Sequence, residues 1–472
     1  MRRVWLLAVL AGCGDAPITV APVVDQPVDD ADATALPDLD SITLEIAHAG
    51  SDSDILTQSF SRGQPIAASD VPFGDDLVIH LTGVIGTSTV AYGRTCATAI
   101  EDVAPDPPPH LFFSRTVKFA TTGIAPRARI GGTALGFLGS GIFVEGTAAG
   151  SPVLEAERFD PATGALADIG GVKPRTDAVA ALIGTSPPRI VVVGGQLDGV
   201  GQTVVEALDG ERRVDSTEDP HMARVGLTAT SLVDGRVAVI GGGPPARDPT
   251  GAIELLTDEG TSIDVRELTA TLAFPRTGHA ATRIGDDVGA PVLVTGGVDA
   301  SGTPVATAEL FKPLSEDLAD PATFHPTLLA PRTRHVATLM PDGSVLVIGG
   351  LDGTGAPVTS LELFSVDAGF SPVGDLPSDA GIVDFSATTL PDGRILLAGG
   401  RLTATGDAIA TAYIVRLDPL DGSVDVVATD PLAVPRAGHQ AVLLCDGTVL
   451  ISGGTDSPVP AERYNPPPTD RR

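Results

Sequence analysis

The chain has 472 residues, of which 60 are acidic and 30 basic, giving a formal charge of −30. Such an acidic surface lacks the basic footprint that phosphate backbones require, so nucleic acid is excluded as a partner and direct adsorption to anionic lipid is disfavoured. Only three cysteines occur, with no CxxC and no His/Cys zinc spacing, and no P-loop, GxSxG or HExxH motif is present.

Met1-Arg2-Arg3 and the short apolar run that follows read as a signal peptide, residues 1–12, too short to span a bilayer as a helix. It ends in Leu10-Ala11-Gly12-Cys13, which resembles a bacterial lipobox, and the resemblance implies lipidation of Cys13. The expected location is a bacterial cell envelope, with the outer membrane preferred and the lipid as the only membrane contact. Residues 13–40, rich in Pro, Ala, Asp and Val without periodicity, are expected to be a disordered tether. Residues 41–110 alternate apolar and polar positions in short runs between turn-forming clusters, which predicts a small immunoglobulin-like β-sandwich. Cys96 falls there and Cys445 near the C-terminus; an interdomain disulfide is one reading, and two unrelated thiols the preferred one.

From residue 111 to 466 a unit repeats about every 50 residues. Residues 331–364 show it plainly: Pro331-Arg332, an apolar run, the turn Pro341-Asp342-Gly343, a β-branched run, Gly349-Gly350, a loop, and a strand bearing Glu362. The second glycine recurs at Gly146, Gly195, Gly242, Gly297, Gly350, Gly400 and Gly454. Pro-Arg opens the unit at Arg127, Arg175, Arg276, Arg332 and Arg436, with Ala223-Arg224 as a variant, and the glutamate returns at Glu157, Glu206, Glu254, Glu309, Glu362 and Glu462. This pattern resembles the kelch family. The resemblance implies an all-β fold, a seven-bladed kelch-type β-propeller like the central one of galactose oxidase, following the sandwich and the tether. Residues 467–472 form a tail. Departures exist: no unit has the family's strand-four tryptophan, unit one has Glu145-Gly146 for the glycine pair, and unit six has Ser378-Asp379 for Pro-Arg and Val415 for the glutamate. The last unit lacks a fourth strand, and residues 116–121 are expected to supply it, sealing the ring.

A ring of Arg127, Arg175, Arg224, Arg276, Arg332 and Arg436 forms a candidate ligand face for a carboxylate or other anion. Repetition in every blade favours the plainer alternative, that each arginine pairs with a recurrent glutamate or caps backbone carbonyls. His279, His335 and His439 share one phase and are read as repeat positions rather than metal ligands. No metal or cofactor is expected. The copper site of galactose oxidase has no counterpart among Tyr92, Tyr413 and Tyr464, and the only tryptophan, Trp5, precedes Cys13. The leading expectation is a non-enzymatic scaffold for an unknown protein or envelope partner; the alternative is a carbohydrate- or glycan-active enzyme using the propeller funnel.

Overall fold

The computed structural model describes residues 18–28, 36–51, 53–101, 103–211, 213–217, 223–320, 322–418 and 422–468. Cys13 and the signal segment lie outside them. The fold is all-β, and no helix occurs among the described residues. Seven antiparallel sheets share one plan of four neighbouring strands, which in sheets one to six follow sequence order. In sheet five these are Val336–Leu339, Val345–Ile348, Ser360–Ser365 and Gly369–Asp375. The second strand is buried along its whole length in sheets three to seven, which is why it reads as a continuous β-branched run rather than an alternating one.

Sheet seven is composite. His439–Leu443, Val449–Gly453 and Glu462–Asn465 come from the C-terminal end, and Lys118–Thr121 completes it, with Phe119 opposite Tyr464 and Thr121 opposite Glu462. No sheet closes on itself. The first strand of each sheet instead packs on the first strand of the next, and His439–Leu443 of sheet seven packs on Thr133–Phe137 of sheet one. The apolar cores follow the same succession. Ile142 and Val144 of sheet one meet Ile190 and Val192 of sheet two, and Val442 and Leu450 of sheet seven meet Phe143 and Phe159 of sheet one.

Neighbouring sheets are tied by backbone at one repeated point. The second glycine of each pair donates its N–H to a carbonyl of the following sheet: Gly195 to Arg224 at 2.9 Å, Gly242 to Arg276 at 2.9 Å, Gly297 to Arg332 at 3.0 Å, Gly350 to Ile382 at 2.8 Å and Gly400 to Arg436 at 2.7 Å. The first glycine must lack a side chain, because a Cβ on Gly349 would stand 2.6 Å from the Ile382 carbonyl oxygen. Hydroxyls add further ties, such as Thr282 Oγ1 donating to Ala337 O at 2.9 Å.

Residues 18–28 correct the expected tether. Ile18–Val20 pairs with Ala68–Val71, and Val23–Asp25 runs parallel to His110–Phe112. Ile18, Val20 and Val24 bury themselves against Leu44, Ile46 and Leu77 of a six-stranded sheet, so this stretch has the apolar area that a free tether lacks. The boundary with the repeat region lies near Val117, since Ser114–Arg115 still pairs with Ser88–Arg94.

The preference for unpaired thiols is also overturned. Cys96 and Cys445 form a disulfide, with Cα atoms 5.1 Å apart across 349 residues of chain. Docking of the N-terminal sheet onto sheet seven brings them together. Arg94 donates to Cys445 O at 3.3 Å, Asn465 Nδ2 donates to Tyr92 O at 2.7 Å, and the Arg463 guanidinium lies 4.4 Å from the centre of the Phe112 ring.

Candidate functional site

The recurrent arginines are interior groups. Arg175, Arg224, Arg276, Arg332 and Arg436 have 0% exposed side chains, each paired with its own sheet's glutamate: Glu206, Glu254, Glu309, Glu362 and Glu462. In each, Nη1 donates to the carbonyl of the first glycine of the pair, for example Arg332 to Gly349 O at 3.1 Å and Arg436 to Gly453 O at 2.7 Å. The carboxylate also accepts backbone N–H groups, as Glu362 does from Leu329 at 2.7 Å and Ala330 at 3.0 Å. Desolvation lowers the pKa of Arg224, Arg276, Arg332 and Arg436, and their glutamates oppose it; arginine stays charged because its ordinary value is so high. A solute could reach them only by displacing the glutamate.

Arg127 does not belong to this set. It is partly exposed and pairs with Asp168, while Arg129 takes the interior position, bonding Glu157 at 2.8 Å and Glu145 O at 2.9 Å. The Pro-Arg landmark is offset by two residues in unit one, and the backbone bond from Gly454 to Arg129 O also identifies Arg129 as the equivalent residue. Unit six needs a second correction. The residue opposite Leu397, where other sheets hold glutamate, is Tyr413 and not Val415. Ile382 replaces the arginine, and the Tyr413 hydroxyl donates to Asp379 at 2.6 Å. Apolar packing stands in for the ion pair.

His279, His335 and His439 are buried in separate sheets and lie against Gly241, Gly296 and Gly399 of the preceding sheet. Their Nε2 atoms bond Thr228 at 3.1 Å, Thr295 at 3.0 Å and Ser386 at 2.8 Å. Burial, reinforced by nearby arginine charge, pushes each pKa down to about 3. Among the described residues no group of three His, Cys, Asp or Glu is placed to hold a metal ion.

What varies between sheets lies two residues after the interior arginine or its substitute. Gly131, Asp177, Gly226, Gly278, Arg334, Asp384 and Gly438 all have positive φ, between 56° and 71°. Several are linked to one another. Gly278 N–H donates to Gly226 O at 3.0 Å, Gly438 N–H to Asp384 O at 2.7 Å, and Gly131 N–H to Gly438 O at 2.7 Å. Glycine suits this geometry, and each non-glycine residue in it costs roughly 1–2 kcal/mol. Three sheets nevertheless carry charge there. Arg334 bonds Asp384 at 2.7 Å, Arg401 stands 3.4 Å from the same carboxylate, and Asp177 accepts from Gln196 at 2.9 Å. Sequence reasoning passed over these residues because they break the repeat; variation at an otherwise glycine-rich phase is the signal that marks them.

Glu145 lies close by, at the phase of the first glycine, with φ of 63°. It is buried, neither carboxylate oxygen has a hydrogen-bond partner, and Arg175 Nε is 3.9 Å away. Burial pushes its pKa up to about 8; Arg175 opposes the shift, and Glu206 and Asp177 add to it.

No family model and no curated protein matches this chain.

Proposed function

We propose that the seven sheets are the blades of a kelch-like propeller, preceded by an immunoglobulin-like domain, and that the protein is a lipid-anchored envelope scaffold binding a protein or envelope partner at one end of the propeller. Cyclic succession of the sheets, the glycine-to-carbonyl ties and the composite seventh sheet support the propeller. The lipobox-like segment ending in Cys13 supports the anchor, and a disulfide accords with a compartment outside the reducing cytoplasm. The observation that carries the binding reading is a charged departure from the repeat at one phase: Asp177, Arg334 and Asp384 held in strained backbone where glycine would suffice. Strain of this kind concentrates at functional sites. The interior Arg–Glu pairs recur in six of the seven sheets and face each other rather than solvent, as a scaffold requires.

The test is a photo-crosslinking residue placed at Arg401 beside this cluster, and in a second protein at Val427 on the outer strand of sheet six, both in intact envelopes. A partner captured from Arg401 and not from Val427 supports the reading. Equal labelling from both positions, or turnover of an envelope glycan by the purified protein, would reverse it.

A further inference from the structure

The geometry points to a second interaction surface: one end of the N-terminal domain, carrying Ile55, Phe73 and Val103, docks on the surface of a zwitterionic bilayer. This rests on the reading of Cys13 as a lipid anchor. With residues 18–28 folded into the domain, only four residues lie between Cys13 and Ile18. The five residue steps from Cys13 to Ile18 reach at most about 18 Å when fully extended. The anchor would therefore hold the end of the domain that contains Ile18 within the headgroup layer rather than standing it off.

That end is apolar where it should be polar. Ile55, Phe73 and Val103 are 46%, 59% and 62% exposed, and they are the large exposed apolar side chains among described residues 18–110. The strand registers bring them to one end of the sheet. Phe73 lies between Val71, which pairs with Ile18, and Gly74, which pairs with Ile100. Val103 follows Ile100 by three residues. Ile55 follows Asp54, which pairs with Ala47, and Ala47 pairs in turn with Val78 at the beginning of the Gly74–Ile85 strand. The opposite end of the sheet, at the turn between Ile85 and Ser88, has no such side chain. An aromatic side chain among apolar neighbours suits the interfacial zone of a bilayer. Asp70, Asp75 and Glu101 flank the patch and would repel an anionic surface. The outward ammonium groups of zwitterionic lipids complement them.

The mature chain from Cys13 onward has no tryptophan, so Phe73→Trp creates a single fluorescent probe. The acylated variant is reconstituted in phosphatidylcholine vesicles with and without brominated acyl chains, and Ser88→Trp is the control at the far end. Docking predicts a blue shift and at least twofold quenching for Phe73→Trp, little quenching for Ser88→Trp, and loss of the effect as anionic lipid is added. An unquenched Phe73→Trp in protein that is acylated and sediments with vesicles overturns the proposal. Mass spectrometry of Cys13 tests the anchor separately. If Cys13 carries no lipid the anchor reading falls, and coupling the Cys13 thiol to a maleimide lipid then decides docking on the same quenching criterion.

Discussion

Gly454 N–H donates to the carbonyl oxygen of Arg129 at 2.6 Å, joining the last sheet to the first with the same bond that links sheets two to seven in succession. Beside it, a Cβ on Gly453 would stand 2.5 Å from the same oxygen, at a φ of 71°. Gly453→Ala should therefore destabilise the protein by more than about 2 kcal/mol, as strain at a special backbone conformation adds to steric overlap. Gly343→Ala, also at positive φ but with open space around it, should cost only about 1 kcal/mol. Denaturant titration of both variants checks the difference, and equal losses would mean that the close approach at Gly453 carries no weight.

The Arg332–Glu362 pair should be costly to break and cheap to replace. Arg332→Ile leaves a buried carboxylate without its cation and should cost about 3–5 kcal/mol. Adding Glu362→Leu should restore much of the loss, because sheet six already fills the arginine site with Ile382 and packs without the ion pair. Thermal melts of the single and double variants decide this, and a double variant no better than the single would refute it.

Glu145 and the buried histidines give opposite dependences on pH. The Glu145 carboxyl, raised from 4.5 to about 8, binds its proton more tightly in the folded chain, so its contribution is full below pH 4.5 and lost as pH rises to about 8. Glu145→Gln should remove that decline, and Glu145→Gly, the residue at this phase in the other units, should raise stability by about 1 kcal/mol or more. Unfolding free energies measured from pH 4.5 to 9 test both expectations; an unchanged slope in Glu145→Gln would show that this carboxyl titrates normally.

His335 works in the other direction. Its pKa falls from 6.5 to about 3 on folding, so the stability it contributes is present above pH 6.5 and lost as pH drops towards 3. His335→Leu should flatten the acid limb, and Leu227 already occupies the corresponding place against Gly194. Melting temperatures at pH 7 and pH 4 provide the comparison, and equal acid losses in both proteins would argue against a neutral buried imidazole.

Removing the Cys96–Cys445 disulfide by Cys445→Ser should destabilise the chain by roughly 2–4 kcal/mol. Limited proteolysis should then cut first near Val117, where the N-terminal domain meets sheet seven. Unchanged protease resistance would show that Asn465 and Arg463 hold the joint without the covalent link.

Much of the repeat region was legible because its signals are local. Turns such as Pro341-Asp342-Gly343 and fully buried second strands follow from φ preferences and β-branching over a few residues, and the recurrence of Arg332 and Glu362 in phase told which positions meet. The charged residues at the glycine phase are not legible, for the converse reason: Asp177, Arg334 and Asp384 do not recur, and their positive φ has no sequence signature outside glycine. In unit one the Pro-Arg spelling even pointed two residues away from the interior arginine.

The amino-acid order determined the all-β character and the period of the repeat, because hydrophobic spacing and turn chemistry act between near neighbours; it reached the partnership of Lys118–Thr121 with the last strand only through the count of strands per repeat, one missing in the last unit and one spare before the first. Tertiary packing alone decided that Cys96 meets Cys445, that Arg129 replaces Arg127, that residues 18–28 fold into the domain, and that the Glu145 carboxylate is buried without a hydrogen-bond partner. Those outcomes depend on how sheets and domain dock, and contacts between segments hundreds of residues apart leave no local trace.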